Sequence, residues 1–119
     1  MTPLTTADIL ERFDGDIELF TAVAESYLDG FSAHKNALQD ANKNFDIKSI
    51  HFLAHTMRGA ASNFSETLFI LTARKLEAIT ATEVQDLKAV SALVDDVLIE
   101  GEQLCTMLRA MIETKVKES

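Results

Sequence analysis

Tryptophan is absent from this chain, cysteine and proline occur once each, and glycine occurs four times. A single cysteine excludes an internal disulfide, and the apolar neighbours Leu104 and Leu108 make Cys105 a small core residue in a reducing compartment. With so little proline and glycine, the hydrophobic residues that form 47% of the chain fall in long uninterrupted segments, as helices require. Basic residues are scarce as well. Eleven Lys and Arg against 19 Asp and Glu give a formal charge of -8, which repels phosphate backbones and anionic lipid and argues against nucleic-acid or membrane binding. No apolar run approaches the roughly 18 residues of a membrane span. The start "MTPLTTADIL" has neither the basic end nor the apolar stretch of a signal peptide. The expectation is a soluble cytoplasmic protein.

At 119 residues the chain fits one domain, residues 1–119, long enough to bury a core without staples. Its periodicity predicts a short helix followed by four longer ones. Thr5 or Thr6 caps the first, which carries Ile9, Leu10 and Phe13, and Gly15 in "FDGD" ends it. Asp16 caps a long second helix whose stripe is Ile17, Phe20, Ala24, Tyr27, Phe31, Leu38 and Ala41, with His34 at the edge of the seam. After the polar break "ANKNFD", Asp46 caps a third helix with Ile47, Ile50, Ala54, Met57, Ala61 and Phe64 on one face.

Ser65 is the expected cap of a fourth helix, with Leu68, Leu71, Leu76 and Ile79 inward, and Thr82 with Gln85 has the spacing of a capping box for the fifth. The fifth seam runs Leu87, Val90, Val94, Val97, Gly101, Leu104, Leu108 and Met111, where Gly101 marks either close approach of another helix or a weak point. "KVKES" reads as a frayed tail, and Asp95, Asp96, Glu100 and Glu102 as a solvated face. Amphipathic helices joined by short turns pack best as antiparallel neighbours. The predicted fold is all-α, an up-and-down antiparallel four-helix bundle with a short extra N-terminal helix. Repeated polar breaks disfavour a coiled-coil dimer, so a monomer is expected.

The stretch "HFLAHTMRGAASNF", His51 to Phe64, holds two of the three histidines, four residues apart. The stripe of the third helix leaves His55 on its outer face with His51 and Ser62, and places Arg58 and Gly59 three and four residues on as its neighbours. A glycine inside a helix costs about 1 kcal/mol against alanine; here its missing side chain clears the approach to one ring. Neutral imidazole is a good nucleophile near neutral pH and takes a phosphoryl group on a ring nitrogen. A guanidinium one turn away offsets the anionic product and donates hydrogen bonds to it. The constellation reads as a phosphoryl-accepting histidine.

"AHTMRGAASNF" resembles the signature of histidine-containing phosphotransfer (HPt) domains: alanine, histidine, any residue, leucine, lysine, glycine, then small residues and an asparagine before an apolar residue. Ala54, His55, Gly59, Ala60, Ala61, Asn63 and Phe64 match it; Met57 stands for the leucine, Arg58 for the lysine, and Ser65 for a glycine that often follows. "GDIELF" and "RKLEAI" resemble the flanking helices of the family, so the similarity covers nearly the whole chain. The resemblance implies a phosphocarrier with no catalysis of its own. Its His55 would accept a phosphoryl group from a phospho-aspartate of a receiver domain, in a response regulator or hybrid histidine kinase, and return it to another receiver. Mg²⁺ belongs to the receiver; no cofactor or metal of the chain's own is expected. The chain has no nucleotide-binding glycine pattern, so it is not expected to be a kinase.

Other readings stand beside this one. An HPt-like bundle that binds a receiver or kinase without carrying phosphate is the alternative function. His51 and His55 have the spacing of two metal ligands, but no third ligand announces itself. Phe52 belongs either to a docking patch with His51 and Ser62 or to a contact with an adjacent helix.

Overall fold

The structure is a computed structural model, and it describes residues 6–64, 68–83 and 86–118, with the side chains of residue 6 and of 115–118 left aside. Among the described residues every regular element is helical: α1 (Thr6–Glu11), α2 (Ile17–Lys43), α3 (Ile47–Ala61) continued by a 3₁₀ turn (Ser62–Phe64), α4 (Leu68–Thr80) and α5 (Leu87–Glu118). Helix α2 packs on α3 and α5, and α4 packs on α3 and α5. At about 1.5 Å per residue, α5 with its 32 residues sets the longest dimension, 51 Å. No described helix is long and apolar enough to cross a membrane.

The helix starts follow from short acidic side chains placed where amide groups lack partners. Asp16 accepts from the Leu19 amide at 3.0 Å, and Asp46 accepts from the Ser49 amide at 3.2 Å and from the Ser49 hydroxyl at 2.7 Å. Those bonds favour the ionised form and hold the Asp46 carboxyl below its usual range. Gly15 has φ +75°, the left-handed conformation that glycine adopts freely after α1. Thr5, Ser65 and Gln85, expected at helix starts, lie outside the described residues.

Helix α5 does not start at Thr82. The Thr82 hydroxyl donates back to the Ile79 carbonyl at 2.8 Å and so closes α4, while Asp86 accepts from the Ala89 amide at 3.1 Å and opens α5. At the other end the helical backbone continues through Glu118, further than the tail expected from "KVKES", with neither glycine nor proline after Gly101 to stop it.

The expected stripes of α2, α3 and α5 are buried from Phe20, Ile50 and Val90 onward, whereas the first residues, Ile17 and Leu87, are exposed at the helix ends. In α4 the expectation holds for Leu76, which is buried, and for Ile79, which is half-buried against the core, whereas Leu71 is only half-buried, Leu68 is exposed, and Phe69, Ile70, Thr72, Ala73 and Thr80 also face inward. Four apolar residues in succession, "LFIL", fit any phase, so period alone did not fix which of them faces the core.

Aromatic packing fixes the end of α3. Phe64 lies 5.6 Å from the Tyr27 ring and 6.4 Å from Phe20, and Phe13 of the α1 end lies 5.6 Å from Phe20. Such edge contacts add about 0.5–1.5 kcal/mol beyond burial. Arg12 donates to the Ser62 carbonyl at 2.9 Å, which satisfies an acceptor at the end of α3. Further along, Gly101 lets α5 approach α2, since a Cβ there would stand 2.5 Å from Phe31 Cε2. Cys105 is fully buried, and burial pushes its thiol up to about 11.

The acidic group of α5 is not uniformly solvated. Glu102 pairs with Lys35 at 3.1 Å across helices, and Glu100 is half-buried with Oε2 shielded from solvent and without a hydrogen-bond partner. Burial raises the Glu100 carboxyl; the Thr72 hydroxyl lowers it, Asp96 raises it again and Lys75 lowers it, and the net direction is upward.

Candidate functional site

Opposite the buried stripe of α3, Phe52 and Gly59 face outward. Phe52 is 67% exposed and borders a groove shared with Ala37, Asp40 and Ala41 of α2, and a Cβ on Gly59 would meet nothing within 4 Å. His55 is displaced from this ridge toward α4, with 64% of its side-chain surface exposed. Its Nδ1 lies 2.8 Å from Oε1 of Glu77, a residue 22 positions on in the last turn of α4.

Arg58 turns toward the same carboxylate. Its Nε donates to Glu77 Oε2 at 2.5 Å and its Nη2 to Oε1 at 3.3 Å, leaving Nη2 at 3.2 Å from His55 Nδ1. Only 15% of the Glu77 side chain and 25% of Arg58 remain exposed. Burial alone would raise the Glu77 carboxyl, but hydrogen bonds from Arg58 and His55, with the charge of Arg58 and any charge on His55, outweigh it and hold the group below its usual range. Glu77 is therefore ionised at neutral pH and can only accept hydrogen bonds.

Two groups compete for Nδ1: the carboxylate at 2.8 Å only accepts and Arg58 Nη2 at 3.2 Å only donates, and the shorter contact favours the His55 proton on Nδ1. Nε2 then carries the lone pair, with no hydrogen-bond partner among the described residues. An acid in the last turn of a helix opposes the helix dipole, and α4 has no basic residue there to balance Glu77. The balance comes from Arg58 on the neighbouring helix.

The remaining expected residues divide. His51 is half-buried against α4, with Nδ1 at 3.0 Å from the Glu77 carbonyl oxygen and 3.0 Å from Thr80 Oγ1. Ser62 is exposed, and its hydroxyl donates to the Gly59 carbonyl at 2.6 Å. Toward α2, a groove bounded by Val23, Ser26, Gly30, His34, Ala60 and Asn63 runs beside the ridge. Among the described residues no group of three or more His, Cys, Asp or Glu side chains is arranged to hold a metal ion.

Glu77 is the site residue that sequence reasoning missed. Its signal was the unbalanced acid near a helix end inside "RKLEAI", which becomes meaningful only once α4 lies against α3. Comparison of the chain with protein-family models, curated proteins and solved structures finds no match.

Proposed function

We propose that the chain is a histidine phosphotransfer domain of the HPt type, in which α2 to α5 form an up-and-down antiparallel four-helix bundle, α1 is the short extra helix, and His55 carries phosphoryl groups between receiver domains. The cyclic packing of α2, α3, α4 and α5 supports the bundle. The observation that carries the function is the exposed His55 ring with Nδ1 bonded to an ionised Glu77 and Nε2 open.

The Nε2 lone pair attacks the phosphorus of a receiver's phospho-aspartate. The bond from phosphorus to the aspartyl oxygen breaks, and its electron pair leaves with the carboxylate. No proton has to move, because the Nδ1 proton stays on the ring, hydrogen-bonded to Glu77, whose charge stabilises the cationic ring that forms. Reversal on a second receiver completes the transfer. Mg²⁺ and the acidic residues that hold it belong to the receiver, so the chain is a phosphocarrier and not an enzyme. Arg58 is held by Glu77 on the Nδ1 side of the ring; it orients the carboxylate and supplies charge toward the phosphoryl group from there.

Gly59 gives the receiver access to the ring, and the exposed Phe52 and Ser62 supply a docking surface beside it. The domain would act as a cytoplasmic monomer. The test is incubation with a phosphorylated receiver and Mg²⁺. An acid-labile phosphate on the wild type, absent from a folded His55→Ala variant, is expected. Receiver binding without labelling would instead favour an interaction protein that inhibits its partner, and labelling of the alanine variant would remove His55 as acceptor.

A further inference from the structure

The two histidines of α3 reach one residue of α4 at different atoms: His55 meets the side chain of Glu77, and His51 meets its backbone. The Glu77 carbonyl can only accept. The Thr80 Oγ1 lies 2.7 Å from the Leu76 carbonyl oxygen and 3.1 Å from that of Glu77, both of which take its single proton as acceptors, so its lone pair faces His51. Both neighbours of His51 Nδ1 thus present acceptors, and the ring carries its proton on Nδ1. The Glu77 carbonyl is among the last four of α4, which a helix leaves short of internal donors; the Ala81 amide reaches it at 3.1 Å and His51 adds a second donor.

We propose that His51 is a positioning residue for His55: it clamps the last turn of α4 through Glu77 and Thr80, and so keeps the Glu77 carboxylate where it fixes the His55 tautomer. The last turn of a helix is where fraying starts, and Glu77 stands there against the helix dipole. Without His51 the hydrogen bonds that tie that turn to α3 are the charged ones of His55 and Arg58 to Glu77. The four-residue spacing of the histidines then has a reason other than shared metal binding. Standing one helical turn apart, the two rings reach the backbone carbonyl and the carboxylate of the same residue. The consequence for transfer rests on the reading of His55 as the phosphoryl acceptor; the effect on its tautomer does not.

Long-range ¹H–¹⁵N spectra of the imidazoles, taken above the usual imidazole pKa range, read the tautomers directly. In the wild type both His51 and His55 are expected as Nδ1–H, and either ring as Nε2–H would overturn the proposal before any variant is made. In His51→Ala, His55 should gain Nε2–H population, and phosphoryl acceptance from a phosphorylated receiver with Mg²⁺ should slow about fivefold, the equivalent of one neutral hydrogen bond. His51→Asn, whose amide donates from nearly the place of Nδ1–H, should restore both. An unchanged His55 tautomer in folded His51→Ala defeats the proposal, as does an asparagine variant that behaves like alanine. If the alanine variant does not fold, the wild-type spectrum and the asparagine variant decide. Tautomers that respond as expected in a protein that takes no phosphate would support the clamp and reject the phosphotransfer reading.

Discussion

Glu77 stands between His55 and Arg58, accepting a hydrogen bond from the imidazole Nδ1 on Oε1 at 2.8 Å and one from the guanidinium Nε on Oε2 at 2.5 Å. One carboxylate thereby sets the protonation pattern of an exposed ring and neutralises the cation beside it. Removing its charge should be felt at Nε2, which Glu77 does not touch. Glu77→Gln keeps an oxygen that can accept but loses the charge beside the ring proposed to take the phosphoryl group. A hydrogen bond to a charged group contributes about 1.5–3 kcal/mol, so phosphoryl acceptance should slow about tenfold or more, with Glu77→Ala slower still. Single-turnover transfer from one phosphorylated receiver measures this, and wild-type rates in both variants would remove Glu77 from the reaction.

Arg58 has two consequences where the sequence alone gave it one. Its fork holds a carboxylate that is 15% exposed, so Arg58→Ala should weaken the fold as well as slow transfer. Leaving a buried charged acceptor without its donor costs about 1–3 kcal/mol. Arg58→Lys keeps the charge but not the two-nitrogen grip and should fall between wild type and alanine in both assays. The linked pH dependence follows from Glu77: its folded pKa lies below the ordinary 4.5, so the stabilisation is present above that value and is lost as pH falls through the folded pKa. The gap in melting temperature between wild type and Glu77→Gln should therefore close on acidification. A gap of constant size from neutral to acid pH would mean that the ionised carboxylate is not what stabilises.

The parts of this site that lie within one helix were legible in the sequence. Arg58 and Gly59 beside His55 follow from helical spacing, and the caps Asp16 and Asp46 follow from side-chain chemistry. Contacts between helices were not legible. The position of Glu77 depends on the rotation of α4, and the run "LFIL" carries no phase, so Leu68 was wrongly placed inward while Leu76 and Ile79 do pack on the core, and the acid beside them went unnoticed. His51 shows the same limit. On α3 alone it belongs to the outer surface; only the end of α4 turns it into a half-buried donor.

Two glycines in helix interiors should respond to alanine with opposite signs. At Gly59 a Cβ meets nothing within 4 Å, so Gly59→Ala gains about 0.8–1 kcal/mol of helix propensity. At Gly101 the same atom would lie 2.5 Å from Cε2 and 2.8 Å from Cζ of Phe31, a buried ring stacked 6.0 Å from Tyr27. Overpacking of that kind costs about 1–3 kcal/mol. Melting temperatures should rise for Gly59→Ala and fall for Gly101→Ala. Gly59→Leu should remain folded yet lose phosphoryl acceptance, because its side chain stands in the approach to His55. Equal transfer by leucine and wild type would show that the opening serves no access.

Glu100 supplies the opposite pH signature from Glu77. Its carboxyl is half-buried between α4 and α5, and Oε2 has neither solvent nor a hydrogen-bond partner. Burial raises its pKa, the Thr72 hydroxyl partly offsets this, Asp96 adds to the rise and Lys75 subtracts from it. The folded pKa therefore lies above the ordinary 4.5, which means that the fold favours the protonated form. By linkage, this contribution to stability is fully present below the unfolded pKa and is lost as pH rises through the folded value. Glu100→Gln imitates the protonated acid at every pH. It should match the wild type in acid and melt at a higher temperature than the wild type at neutral pH, while His55, on α3, keeps its transfer rate. Thermal unfolding followed by circular dichroism across that pH range is the measurement. A glutamine variant less stable than wild type at neutral pH would mean that the ionised carboxylate is satisfied in solution and that its burial does not limit the fold.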